Sequence, residues 1–305
     1  MRRATRRLPA ALALACAVAS PLAAAETVTF AFAPPTDRAF ELRSYGTGTT
    51  KWGGNKEVIE VGMISRLRFA PTAGGYRLTD QTQDLAIAMD GKRVESKVLD
   101  VVRRNRLTWY VGRDGRLERV EGARENFAAM IPLLEGEAKK RAEQRLAEGE
   151  FGGDEIATWF ETCEVLAGQT LELDRDYWFR HARSTDDGWV VFDVLFRLGP
   201  WEETPHGRRL RQRAAFVSNA RAELPQAVEL VPKLRSRFDP ARPGALARGY
   251  KITGNASRLI DPATLLVWRE QVYRREEHEI RPVEEVGITF AVEARLDTTL
   301  TPVAE

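Results

Sequence analysis

The chain is most constrained by a unit it repeats: a run of alternating apolar and polar residues, a two-residue turn signal, then another such run. Between Val58 and Phe69, Ile59, Val61, Met63, Leu67 and Phe69 alternate with Val58, Glu60, Gly62, Ile64, Arg66 and Arg68, with Ser65 as a break. A period of two places the two sets on opposite faces of a strand. Gly74-Gly75, Asp90-Gly91, Asp114-Gly115 and Asp187-Gly188 separate such runs. Gly and Asp reach the positive φ values that tight hairpins need. Turns this short cannot carry a parallel crossover, which takes about a dozen residues or more.

Residues 27–112 are therefore expected to form an antiparallel meander, with Phe40–Tyr45, Tyr76–Met89, Lys92–Arg103 and Arg106–Val111 among its strands. The pattern returns after residue 170. Leu171–Ala182, Trp189–Leu198, Arg208–Ser218, Tyr250–Ile260, Leu265–Ile280 and Val286–Leu300 read as strands. The apolar run Trp189–Phe196 suits a strand covered on both faces. Four prolines between 220 and 246 point to a short helix and a loop.

The period changes in the middle. Ala123–Leu146 is rich in Ala, Glu, Lys, Arg and Leu, and Phe127, Ile131 and Leu134 recur at helical spacing. Pro132 is expected to kink or divide that helix. Gly152-Gly153 breaks it, Asp154 is placed to cap a second helix from Glu155 to about Leu166, and Gly168 to stop it. The expected class is α+β and mainly β: a curved, half-barrel-like antiparallel sheet with a helical insert, about 121–167, covering its concave face. Whether the two strand blocks make one sheet or two is open from the pattern alone; one continuous sheet is the simpler arrangement.

The N-terminus has the layout of an export signal. Arg2, Arg3, Arg6 and Arg7 precede an apolar run from Leu8 to Ala25 that ends in Ala23-Ala24-Ala25. Cleavage is expected at Ala25/Glu26, leaving 26–305 as a single β-rich domain, periplasmic or secreted. Pro21 and the many alanines make the run a poor permanent span, and no later run is long enough to cross a membrane. Cys16 follows Ala13-Leu14-Ala15, which places Leu one position away from a lipoprotein box, so lipid anchoring is not expected. Pro9 and Ala10 stand where twin-arginine signals carry bulky residues. Removing 1–25 changes the formal charge from +2 to about −2, without the basic face of a nucleic-acid binder. Cys163 is then the sole cysteine, which leaves no intrachain disulfide and reads as a small buried hydrophobe.

Catalytic signatures are missing. No Gly-x-Ser-x-Gly, phosphate loop, dinucleotide fingerprint or His-Glu-x-x-His occurs. His181, His206 and His278 have no metal-ligand spacing, and Glu276-Glu277-His278-Glu279 reads as a solvated strand face. No catalytic residue, metal or cofactor is expected. The aromatics are more informative, because Trp159, Phe160, Trp178 and Trp189 crowd into the second helix and the strands after it. Ile156, Trp159, Phe160 and Cys163 fall at spacings of three and four, widened by Val165 and Leu166, so they form one helical stripe. The stripe either fills core or lines an apolar groove with Trp178 or Trp189.

The succession of leader, meander, helical insert with Pro132 and Trp159-Phe160, and then Leu171–Trp178 with long closing strands resembles uncharacterised exported β-rich proteins of Gram-negative bacteria. Its layout is similar to that of the periplasmic lipoprotein-carrier half-barrels, which bind acyl chains. The resemblance implies a non-enzymatic protein that binds a lipid, a hydrophobic small molecule or an envelope partner. A structural or assembly factor of the envelope, and a hydrolase with a motif-free site, are the alternatives.

Overall fold

The computed structural model describes residues 25–52, 55–148, 151–185, 188–217, 226–233, 238–240, 246–247, 250–280 and 288–303. The expected leader up to Ala24, with Cys16, lies outside them, as do Gly53-Gly54, Asp187 and most of 220–246. The first seven strands are β1 (Thr27–Thr29), β2 (Ala39–Trp52), β3 (Asn55–Pro71), β4 (Gly75–Met89), β5 (Lys92–Arg93), β6 (Arg106–Gly112) and β7 (Leu117–Glu121). The helices are α1 (Lys97–Val102), α2 (Ala123–Met130), α3 (Gly136–Glu148) and α4 (Gly153–Trp159). Then come β8 (Thr170–Glu172), β9 (Asp176–Thr185), β10 (Gly188–Thr204), β11 (Gly207–Val217), β12 (Val228–Glu229), β13 (Tyr250–Ile260), β14 (Val267–Ile280) and β15 (Ile288–Val303).

The protein is mainly β. A 13-stranded sheet runs in the order β12-β9-β10-β11-β13-β14-β15-β2-β3-β4-β6-β7, with β5 on β4; it is not closed into a barrel. β1 and β8 form a separate antiparallel pair. Both strand blocks share the large sheet, because β15 pairs antiparallel with β2 from Ala291↔Lys51 to Val303↔Ala39. Among the described residues the one parallel strand pair is β12 with β9, two residues long. The Asp90-Gly91 hairpin has both residues at positive φ, 49° and 74°, as a two-residue turn matched to strand twist requires.

Three segments depart from the sequence pattern. Lys92–Arg103, expected as a strand, pairs with β4 over two residues and then becomes α1. Ser96 caps that helix, its hydroxyl accepting from the Leu99 amide at 3.2 Å, and the cap prevails over the alternation. Leu171–Ala182 divides into β8 and β9 around Asp174, whose φ of 56° breaks the strand. Among its described residues, 220–246 contributes the short strand β12 and no helix.

Pro132 divides the helical segment as expected. It sits in a 3-10 turn, Ile131–Leu133, between α2 and α3, where its missing N–H costs no helical hydrogen bond. The next helix starts behind Gly152, at φ 89°, without a side-chain cap; the Asp154 side chain lies outside the described residues. α4 runs into a π-helical turn, Phe160–Glu164, and the chain leaves it at Gly168, φ 72°. π-Turns inside helices often lie at functional sites. Among the described residues no helix is long and apolar enough to cross a membrane.

Register places the core. Opposed residues share a face, so Leu42 and Leu300 lie together, as do Leu210 and Ile260. The next row but one on this face runs Ala214, Ala256, Val272, Leu296, Gly46, Val61 and Ile87 across seven strands. Phe40, Phe160, Phe179, Phe192, Phe196 and Phe216 are fully buried. Each such side chain contributes about 1.5–3 kcal/mol by leaving water.

Candidate functional site

Between those two rows lies a polar one. Gln212 of β11, Arg258 of β13, Glu270 of β14, Thr298 of β15 and Ser44 of β2 stand opposite one another in turn. One polar residue per strand, flanked by apolar rows, needs internal partners, because unpaired polar groups in a dry interior are costly. The row supplies them. Arg258 donates from Nε to Glu270 Oε1 at 2.5 Å and from Nη1 to Gln212 Oε1 at 3.4 Å. Its Nη2 donates to Glu161 Oε1, from the π-turn. The other Glu161 oxygen lies 3.2 Å from His181 Nε2 on β9. At the far end the Ser44 and Thr298 hydroxyls are 3.2 Å apart.

The side chains of Glu161, His181 and Arg258 are no more than 7 % exposed. Burial alone would raise the Glu161 carboxyl; the Arg258 guanidinium and His181 outweigh it and hold the group far below the usual carboxylate range. Burial likewise works against the Arg258 charge, and Glu270 and Glu161 reverse that effect, raising its pKa. Two rows along the same face, beyond Ala256 and Val272, Arg274 of β14 stands opposite Gly254. A Cβ on Gly254 would come within 2.1 Å of the Tyr273 carbonyl oxygen; the bare glycine leaves the Arg274 guanidinium 5.3 Å from the Phe216 ring.

Beside the Glu270, Thr298 and Ser44 half of the row is a half-open cavity of about 310 Å3. Its walls are almost wholly apolar, with Phe32, Phe40, Leu67, Trp159, Leu296 and Leu300 among them. Its polar lining is Glu270, Ser44, Thr298 and Thr162. The volume falls at the lower end of small-molecule sites, about 300–1,000 Å3. Beyond Ser44, β2 carries Gly46 and Gly48 on the same face, across from Leu296 and Ala294. A Cβ at Gly48 would touch nothing closer than 4.0 Å, and one at Gly46 would lie 3.7 Å from Cδ1 of Leu296, a residue of the cavity wall.

The four aromatic residues singled out by sequence do not form one groove. Trp159 lines the cavity, is 7 % exposed, packs edge-on to Phe32 and donates from Nε1 to the Gly115 carbonyl at 2.9 Å. Phe160, one residue on, is buried against Phe179, His181 and Phe238. Trp178 is buried too, but strand alternation turns it to the face opposite Tyr177 and Phe179. Trp189 is half-buried against Phe238. Cys163 lines the cavity next to Thr162, and burial pushes its thiol up to about 12, so it stays protonated and unreactive at neutral pH.

Glu161, His181, Arg258, Glu270 and Gln212 carry no recognised motif. Their signal is the alternation itself: Ile252, Ala256 and Ile260 face the core, and Arg258 occupies a position in that set. His181 follows Tyr177 and Phe179 in the same way. Chemically, Glu161 and His181 make a buried acid–base pair. His181 Nδ1 has no hydrogen-bond partner among the described residues, and no described hydroxyl or thiol is poised on the imidazole as a nucleophile. Among the described residues no group of His, Cys, Asp and Glu side chains could hold a metal ion.

No family model matches the chain, and no curated protein matches it. Two solved structures show a remote likeness. One is the binding domain of botulinum neurotoxin DC in complex with rat synaptotagmin II, 9% identical, covering 88% of this chain and 83% of that one, with a TM-score of 0.15. The other is a protein of unknown function from the DUF3598 family from Nostoc punctiforme, 10% identical, covering 84% and 94%, with a TM-score of 0.13. Scores this low carry no argument about fold or function.

Proposed function

We propose that the chain is an exported, non-enzymatic protein of the periplasm or the outside of the cell, which binds a lipid or a hydrophobic small molecule after removal of residues 1–25. The observation that carries the reading is the apolar cavity between the π-turn and strands β2, β3, β4, β14 and β15, with Trp159 in its wall. A helical segment seated on the concave side of a curved sheet is the arrangement that would enclose such a ligand. The leader fits this reading, since the Glu26 carbonyl already accepts from the Leu173 amide at 2.8 Å, directly after the expected cut. Native mass spectrometry of protein purified from its own envelope tests it: a retained lipid is expected. Protein that carries no ligand and binds no apolar dye would overturn it.

An envelope protein partner is favoured by a separate observation. Val231 is 70% exposed and Leu246 60%, and both belong to the proline-rich segment 220–246. Crosslinking from Val231 in intact envelopes distinguishes the readings, because a lipid carrier needs no fixed partner there.

A further inference from the structure

The cavity's polar lining constrains the head of its ligand, an inference that rests on the binder reading above. Arg258 is not among the lining residues, and each of its three nitrogens is engaged within the polar row: Nε by Glu270, Nη1 by Gln212 and Nη2 by Glu161. The polar residues that line the cavity are Glu270 and the hydroxyl-bearing Ser44, Thr162 and Thr298. The Thr162 hydroxyl donates to the Thr158 carbonyl at 2.9 Å, which leaves its oxygen as an acceptor. Ser44 and Thr298 share one hydrogen bond, which uses one of their two hydrogens, so the pair keeps acceptor lone pairs together with one hydroxyl donor. The lining therefore has more acceptors than donors, its one charged residue is Glu270, which Arg258 holds, and no lysine or arginine is among the described lining residues.

We infer that the cavity takes an apolar molecule whose head is a hydrogen-bond donor without negative charge, a hydroxyl or a protonated amine, and that it rejects free fatty acids. A donor head placed at the polar row bonds to an ionised acceptor, and such bonds are about twice as strong as neutral ones. A carboxylate head would meet the Glu270 carboxylate, while the Arg258 guanidinium beside it is already engaged by Glu270, Gln212 and Glu161 and no lysine or arginine stands among the described lining residues to receive the second charge. The tail then lies among the apolar wall residues Phe40, Leu67, Leu296 and Leu300.

Displacement of an apolar fluorescent dye from the purified protein by dodecylamine, dodecanol and laurate tests the inference, since the three share a chain and differ in head. Dodecylamine and dodecanol are expected to compete at least about tenfold more tightly than laurate, roughly the worth of one charge-assisted hydrogen bond. In Glu270→Gln the amine preference should collapse and laurate should gain. Glu270 also supports Arg258, so Thr298→Val, which leaves the ion pairs intact, is the second variant; it should weaken dodecanol severalfold with the protein still folded. Laurate competing as well as dodecylamine, or dodecanol unaffected by Thr298→Val, overturns the assignment of the head while leaving the cavity as a binding site. Failure of the dye and all three compounds to bind overturns the binder reading itself.

Discussion

Arg258 and Glu161, 97 positions apart, meet in the interior as a guanidinium–carboxylate pair, both almost fully buried. The pair ties the helical segment to the middle of the sheet, and Glu270 and His181 extend it on either side. A buried ion pair contributes modestly compared with apolar packing, but its halves are costly to separate.

Arg258→Met should therefore destabilise the protein by about 3–5 kcal/mol, because Glu161 and Glu270 lose their shared cation. Urea unfolding measures this. The same pairing predicts that Glu161→Gln and Arg258→Met combined cost less than the sum of the single changes. Strict additivity would mean that the two side chains are not coupled.

Acid should weaken the protein through Glu161. Its carboxyl lies lower in the folded state than in the unfolded chain, where it titrates near about 4.3. The stabilisation is thus fully present above that pH and is lost as pH falls toward the folded value. Asp80 acts in the opposite sense: burial raises its pKa, so its contribution favours folding as pH falls. Urea midpoints between roughly pH 6 and pH 3 should fall less steeply in Glu161→Gln than in the wild type; identical slopes would refute the assignment.

Trp159→Ala should cost about 3–5 kcal/mol, since the ring is buried against Phe32 and Trp109. Because it also forms cavity wall, dye binding by the folded variant should weaken as well. The Trp178→Ala change also opens core, but on the opposite face of β9. It should leave dye affinity unchanged at temperatures where the variant is folded.

Gly46→Val narrows the cavity at its Leu296 wall without threatening the backbone. Its new Cβ would lie 3.4 Å from the Arg295 carbonyl oxygen and 3.7 Å from Leu296 Cδ1, ordinary packing distances. Valine favours strands more than glycine does, so stability should hold or rise. Competition by long-chain amines should weaken more than that by short-chain ones; equal effects would place the tail elsewhere.

Cys163 should resist iodoacetamide in the folded protein at pH about 8 and react once the chain is unfolded, as expected of a thiol raised far above its usual range. Mass spectrometry of alkylated peptides decides this, and rapid labelling of the native protein would contradict the burial.

The strand blocks, the Asp90-Gly91 hairpin, the division at Pro132 and the stop at Gly168 were all legible along the chain, because each depends on residues within a turn or two of one another. The exceptions are local contests as well: a serine cap defeated alternation at Ser96, and a left-handed Asp174 broke a strand that apolar spacing had joined. The candidate site was legible only at Trp159. Arg258 was overlooked because a charge inside an apolar alternation looks like a defect until its partner is known, and Glu161 because a charge beside a helical apolar stripe looks solvated until the turn is packed.

The sequence by itself determined most of the extended segments, the helical stretch around Pro132 and which residues of a strand share a face, since φ/ψ preferences and side-chain alternation act over a few residues. It misplaced α1, and the described residues of 220–246 hold the short strand β12 where a helix was expected. Only the tertiary structure decided that β15 closes onto β2, which sets Ser44 beside Thr298 across 254 positions and lines up Gln212, Arg258 and Glu270 in the same row. Register between distant strands depends on ladder hydrogen bonds and packing summed over the whole sheet, so one polar residue per strand becomes a single site only when the sheet is assembled.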